Sequence, residues 1–135
     1  MSIDPRSHTP VYVQLADLLR SRIESGELPP GAPLESEARL SQEYGIGRDA
    51  VRKAISVLRF EGLVTSSRGQ PTQVRPRPER RQVEVPRGSR ISARMPNGHQ
   101  RRQMDMDEGI PILEVHSPDG TVQAFPADEV VLTCP

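Results

Sequence analysis

The sequence predicts an α+β protein in two parts: a winged helix-turn-helix over residues 9 to 75 and a small α+β C-terminal module over residues 82 to 135, joined by a linker at 76 to 81. Three observations predict it. Apolar residues recur at helical spacing in three successive segments, and the last two are separated by the tight turn Gly45-Ile46-Gly47. Two short β-type runs then flank Ser66 to Pro71, as in a hairpin or wing. Finally, Arg75-Pro-Arg-Pro-Glu-Arg-Arg81 has the composition of an extended polar linker.

Residues 1 to 8 show no periodicity and are expected as a loose arm that offers Arg6 and His8 for a backbone contact. The first helix follows. Thr9 suits its cap and Pro10 its first turn, and Tyr12, Leu15, Ala16, Leu19 and Ile23 form its apolar stripe up to Gly26. Leu28-Pro-Pro-Gly-Ala-Pro-Leu34 cannot be helical and is expected as a turn laying both leucines on the core. Ser36 is an N-cap candidate, with Glu37 at the positive end of a short helix that stops at Gly45. A third helix carries Val51, Ala54, Ile55 and Leu58 inward and ends at Gly62. Leu63 to Thr65 and Thr72 to Val74 are the expected wing strands.

Beyond the linker, residues 83 to 94 alternate weakly, and Asn97 with Gln100 forms a capping box for a helix reaching Met104. Ile112 to His116 reads as a strand, turned back by Ser117-Pro-Asp-Gly120 into Val122 to Phe125, with Glu129 to Thr133 as a further strand candidate.

Composition narrows the function. The chain has 135 residues, no Trp, two Tyr and two Phe, so its core is aliphatic and thin. A single cysteine, Cys134, excludes an internal disulfide and a Cys-rich zinc site and fits a reducing cytoplasm. No apolar run is long enough to span a bilayer and no export signal opens the sequence, so no membrane association is expected. His8, His99 and His116 lack metal-ligand spacing, no Gly-rich phosphate loop follows a strand, and no nucleophile stands with a base. Neither an enzyme nor a cofactor is expected.

Charge is balanced in sum and uneven along the chain. Residues 80 to 102 hold seven Arg against Glu84 alone, whereas residues 103 to 135 hold seven acids and no Lys or Arg. The acidic stretch from Asp105 to Glu129 is expected at the surface or packed against the Arg-rich segment.

In a helix-turn-helix the second helix of the motif enters the major groove of double-stranded DNA with its first turns toward base edges. Here these turns carry Arg48, Asp49, Ala50, Arg52 and Lys53. Arg48 and Arg52 are four apart and share a face, so one guanidinium can take a guanine's two acceptors while the other grips a phosphate. Asp49 can accept from cytosine, orient Arg52 or Lys53, or cap the turn. Ala50 is small enough to meet a thymine methyl or to permit close approach. At the wing tip, Gly69 lets the backbone come near a groove and Arg68 suits a narrow minor groove.

From Thr9 to Val74 the chain resembles the N-terminal domain of the GntR family of bacterial regulators. The resemblance is carried by Pro10-Val-Tyr12, Ser25-Gly-Glu-Leu28, Pro30-Gly31, Leu34, Ser36-Glu37, Leu40-Ser41, Arg48, Val51-Arg52, Ala54, Leu58 and Glu61-Gly-Leu63. It implies a homodimeric, sequence-specific transcription regulator, a repressor on a short palindromic operator. Its DNA contacts would come from the start of the second helix at Ser36 and Glu37, from Arg48, Asp49, Ala50 and Arg52, and from Arg68 and Gly69. Two positions depart from the pattern. Ala38 stands where the family has Arg, with Arg39 about 100° further round the helix, and Gly47 stands where the family prefers Ser or Thr. The first helix looks like the HutC and YtrA branches, whereas the wing looks like the fatty-acid-responsive branch.

Ser92-Ala-Arg-Met-Pro96 and Glu108-Gly-Ile-Pro-Ile-Leu113 resemble the opening of the HutC-branch effector domain, which is more than twice as long as residues 82 to 135. The module is therefore expected as a truncated version, supplying dimerisation. Two alternatives stand beside it. One is a switch in which two subunits share a pocket for an acidic small-molecule effector, lined by Arg90, Arg94 and His116. The other is a protein-interaction module that uses the acidic tail.

Overall fold

The computed structural model describes residues 2–76 and 78–135, which fall into two compact units, Met1–Pro76 and Arg77–Pro135. The N-terminal unit orders its elements as α1 (Val11–Glu24), α2 (Glu37–Tyr44), α3 (Arg48–Phe60), β1 (Val64–Thr65) and β2 (Gln73–Val74). Helix α1 buries Leu15, Ala16, Leu18 and Leu19, which recur at i, i+1, i+3 and i+4 and so line one face. The cap differs from expectation. Pro10, not Thr9, is the N-cap, and the Thr9 carbonyl instead accepts a hydrogen bond from Gln14 Nε2 at 2.8 Å.

That glutamine also overturns the loose arm. Gln14 Oε1 accepts from the Asp4 backbone N–H and Gln14 Nε2 donates to the Asp4 carbonyl, both at 2.8 Å, while Ile3 packs against the core. A carboxamide presents a donor and an acceptor side by side, so it pairs with a peptide unit as a neighbouring strand would. The sequence pattern carries no periodic trace of such a contact.

Residues 31–34 do more than turn. The Leu34 N–H donates to Thr72 O at 2.7 Å, the Val74 N–H to Ala32 O at 2.8 Å and the Gly31 N–H to Val74 O at 2.9 Å, so this stretch lies along β2. Pro33 lacks a donor and sits where the added strand is an edge. Strands β1 and β2 pair antiparallel with Val64 opposite Val74, both buried.

Helices α2 and α3 are set by their ends. Ser36 Oγ accepts from the Arg39 N–H at 3.1 Å, closing the first turn of α2, and Gly45 at φ 66 ends it in the left-handed conformation that glycine adopts without strain. Helix α3 turns Val51, Ala54, Ile55 and Leu58 into a core shared with Leu15, Leu19, Leu40, Val64 and Val74. Outside the core, both guanidinium edges of Arg20 are occupied: Nε and Nη2 donate to Glu61 at 2.8 Å each, and Nη1 to Asp17 at 2.7 Å.

Glu35 has an acid for a neighbour. A hydrogen bond with Glu43, helped by partial burial, raises its carboxyl pKa above the ordinary 4.5, and Arg22 and Arg39 only partly oppose this. A raised folded-state pKa means that the native state holds the proton more tightly than the unfolded chain. The stabilisation is therefore full below the ordinary pKa and is lost as pH rises through the raised value. Compared by urea unfolding across this range, the parent should lose stability with rising pH relative to Glu43→Gln, whose own slope should differ. An unchanged slope in the variant would remove Glu43 as its origin.

The C-terminal unit comprises β3 (Arg81–Glu84), β4 (Arg90–Arg94), α4 (Gly98–Met104), β5 (Ile112–His116), β6 (Val122–Pro126) and β7 (Val130–Thr133). Strands β4, β5 and β6 form an antiparallel sheet, and β3 pairs parallel with β7. Arg81 is thus a strand residue and not part of a linker ending at 81, because its N–H donates to the Glu129 carbonyl at 3.0 Å. Arg77, within the expected linker, lies outside the described residues. Val85, Val115, Phe125 and Val130 make a small core. Helix α4 carries the expected capping box, Asn97 Oδ1 accepting from the Gln100 N–H and Gln100 Oε1 from the Asn97 N–H. Among the described residues no helix is long and apolar enough to cross a membrane.

Candidate nucleic-acid interface

The side of α3 opposite the core is polar and exposed. Arg48, in the first turn, has no hydrogen bond or ion pair among the described residues, so its guanidinium is uncommitted. Arg52, one turn on, is held from two sides. Its Nε donates to Glu37 Oε2 at 2.9 Å and its Nη1 lies 3.4 Å from Asp49 Oδ1. A guanidinium has five N–H donors, and these contacts use two of them. Both Nη2 hydrogens and one on Nη1 remain, along the edge that matches two acceptors in a plane.

Glu37 and Asp49 are acids beside what would be a polyanion, and the geometry gives each a partner. Asp49 is 99% exposed at its side chain and is the weaker brace, whereas Glu37 reaches across from the first turn of α2. Of the roles open to Asp49, orientation of Arg52 is the one with a contact in the structure. Pairs this exposed contribute little stability, about 0 to 1 kcal/mol, so their effect is geometric.

Ser36 Oγ is committed to the cap of α2, while Arg39, 75% exposed, leans toward Glu35 at 3.7 Å. Arg39 is not joined to the Glu37–Arg52 pair. Ala50 is half-buried, and the Lys53 ammonium lies 4.8 Å from the centroid of the Tyr12 ring on α1.

Gly47 is the N-cap of α3 with φ −67 and ψ 153, an ordinary extended conformation, and it offers no side-chain cap. A Cβ placed there meets nothing within 4 Å. Gly47→Ser should therefore raise stability by about 0.5 kcal/mol, combining the missing cap with a less flexible unfolded chain. Thermal unfolding of the two proteins measures this, and a lower midpoint in the serine variant would show that the cap geometry is wrong.

The wing is tied to α3 at its base. Arg59 Nη2 donates to Ser66 Oγ at 2.9 Å, and Ser66 Oγ lies 2.9 Å from Thr72 Oγ1 on the returning side of the hairpin. At the tip the Gln70 N–H donates to Ser67 O at 3.0 Å, Gly69 takes φ 76, and Arg68 is exposed. Ser36 and Glu37 at the start of α2, Ile55 of α3, and Pro71 and Thr72 of the wing line one crease. The start of α2, the middle of α3 and the wing therefore converge. Arg59 and Tyr12 were not among the expected site residues. Arg59 was within reach of sequence reasoning, since it stands at i+7 from Arg52 and i+11 from Arg48 on the same helical face. The Tyr12–Lys53 contact joins two helices and leaves no such signal.

Residues 11–74 match the family model described as bacterial regulatory proteins, gntR family. Residues 11–74 are a GntR-family domain. A relative from Bacillus subtilis (strain 168), the HTH-type transcriptional repressor NagR, is 40% identical over 74 residues, which is 55% of this chain and 30% of NagR. The chain thus spans less than a third of that relative's length. Among solved structures, YtrA from Sulfolobus acidocaldarius, a GntR-family transcription factor, matches with TM-score 0.52 and 35% identity over 55% of this chain and 78% of that one. AraR(DBD) in complex with operator ORX1 matches with TM-score 0.50 and 33% identity, over 55% of this chain and 92% of that chain.

In the C-terminal unit, Arg90, Arg94 and His116 fall on one face of the three-stranded sheet, with Arg90 directly opposite His116. Two of these three, Arg94 and His116, are already engaged within the unit. Arg94 Nη2 lies 3.2 Å from Glu114 Oε2, His116 Nε2 lies 2.6 Å from Glu114 Oε1, and Arg94 Nη1 donates to Gln100 at 2.9 Å. These two partners, His116 first, hold the Glu114 carboxyl below its ordinary pKa. The acidic stretch and the Arg-rich segment thus meet within one unit through Arg94 and Glu114.

Proposed function

We propose that this chain is a sequence-specific DNA-binding transcription repressor that acts as a homodimer on a short palindromic operator. The observation that carries the proposal is the polar face of α3, where an uncommitted Arg48 stands one turn from an Arg52 whose free edge is held outward by Glu37 and Asp49. In this reading α3 lies in the major groove, Arg48 and Arg52 meet base edges or phosphates, Ser36 and Gly47 let backbone N–H groups approach phosphate, and Ala50 adjoins a base. Arg68 and Gly69 enter the neighbouring minor groove. The operator in the AraR(DBD) complex and the repressor named among the relatives support DNA as the partner and repression as the sign.

The C-terminal unit supplies the subunit contact in this reading. Its support is a set of exposed apolar side chains, Ile91 at 49%, Met95 at 52%, Val122 at 54% and Val131 at 40%. Such a regulator works in the cytoplasm, with its DNA. Selection of bound duplexes from a random pool tests the whole reading. Recovery of an inverted repeat supports a dimer on a palindrome; a single half-site would sink the dimer, and no enrichment would sink sequence-specific binding.

A further inference from the structure

Helix α1 lies outside the helix-turn-helix, yet one of its side chains reaches the polar face of α3. Tyr12 is half-buried against the core, so its ring is fixed, and the Lys53 ammonium sits 4.8 Å from the ring centroid. Lys53 is the chain's sole lysine among eighteen basic side chains. It has no carboxylate partner among the described residues. Asp49, one turn before it and in register for an ion pair, turns to Arg52 instead.

A cation held over a ring face is attracted by the ring's quadrupole, and the N–H donors on the side away from the ring are not engaged by it. Donors of Lys53 facing away from the ring therefore stay available while its flexible stem is steadied. A lysine loses much rotamer entropy when it is pinned by a ligand, and Tyr12 removes part of that loss beforehand. Lys53 lies five residues after Arg48, about 140° round the helix from it, toward α1. A contact at this place falls at the margin of the face that Arg48 and Arg52 occupy, where a groove-bound helix meets the sugar-phosphate backbone.

We infer that Tyr12 is a positioning residue for DNA binding, holding the Lys53 ammonium over its ring so that Lys53 takes a backbone phosphate and the interface extends onto α1. This rests on the DNA-binding reading above. It adds a residue that reads no sequence. Phosphate contacts by lysine raise affinity for all duplexes alike and appear in the salt dependence of binding.

The test uses the full chain and a duplex recovered by selection from a random pool, with binding measured across salt concentrations. Lys53→Gln should lower the magnitude of the slope of log K against log salt by about 0.9 per subunit, while preference among duplexes stays as in the parent protein. Tyr12→Phe keeps the ring and should leave affinity and slope unchanged. Tyr12→Leu keeps the apolar body but not the ring face, and should weaken binding about two- to fivefold with the slope retained, since Lys53 still reaches the phosphate. Because the lysine is single, its acetylation by acetic anhydride can be followed in one peptide. Saturating duplex should slow it severalfold.

A slope unmoved in Lys53→Gln, or an acetylation rate unchanged by bound duplex, overturns the inference while leaving DNA binding in place. Equal loss of affinity in Tyr12→Phe and Tyr12→Leu would overturn the ring's part in it. Failure to retain any duplex overturns both this inference and the reading beneath it. Circular dichroism of each variant separates lost contacts from lost folding.

Discussion

Leu58→Ala should destabilise the N-terminal unit by about 2 to 5 kcal/mol, the largest effect expected from a single substitution in this chain. Leu58 is fully buried at the inner side of α3 and belongs to the same core as Leu15, Leu19, Leu40, Val51 and Val64. Truncation removes the transfer free energy of the lost carbons and leaves a cavity that three short helices cannot collapse to fill. Small domains hold only about 5 to 15 kcal/mol in total, so this loss removes a large part of the margin. The control lies two residues along. Phe60 is 72% exposed on the outer side, and Phe60→Ala should shift stability by less than about 0.5 kcal/mol. Urea unfolding followed by helical circular dichroism compares the two, and equal losses would mean that the inner and outer sides of α3 have been confused.

Arg48→Ala should relax base preference at one position of each half-site and weaken operator binding by about 1 to 3 kcal/mol. The guanidinium has no competing partner in the protein, so nothing inside the molecule is left unsatisfied when it goes, and the fold should stand. Arg52 is different. Removing it would leave Glu37 and Asp49 without their shared cation on the surface proposed to meet DNA, and the two effects would be mixed. Arg48→Ala is for that reason the cleaner probe. Competition between operator and random duplex is the measurement. If the substituted protein separates the two as well as its parent does, Arg48 does not read a base.

Much of this was legible from the chain alone, for identifiable reasons. Ser36, Gly45 and Gly62 bound helices through local rules, namely a side-chain cap and left-handed glycines, so the helices around them could be placed without tertiary information. The same holds for the Asn97–Gln100 capping box and the turn before Gly120. What escaped were contacts between residues far apart in sequence. Gln14 pairing with Asp4 fixed an arm that composition suggested was loose, and Ala32 joining Val74 made a strand of a proline-rich turn. Within the site, sequence put Arg48 and Arg52 on one face but could not tell that one is free and the other held by a glutamate from a different helix. It also offered Arg94 and His116 as ligand-binding groups, because it could not show Glu114 lying between them.

The bracing of Arg52 by two carboxylates bears on how such a protein would search for its site. Residues 1–76 carry almost as many acids as bases, and part of the basic charge on α3 is already matched before any DNA arrives. Attraction to an arbitrary duplex is then shallow, and encounters with wrong sequence are brief. Time spent at the right sequence depends instead on fit, which a matched guanidinium edge can supply and a diffuse positive field cannot. In the proposed function, the glutamate that steadies Arg52 would thereby also lower the background against which the correct site must compete.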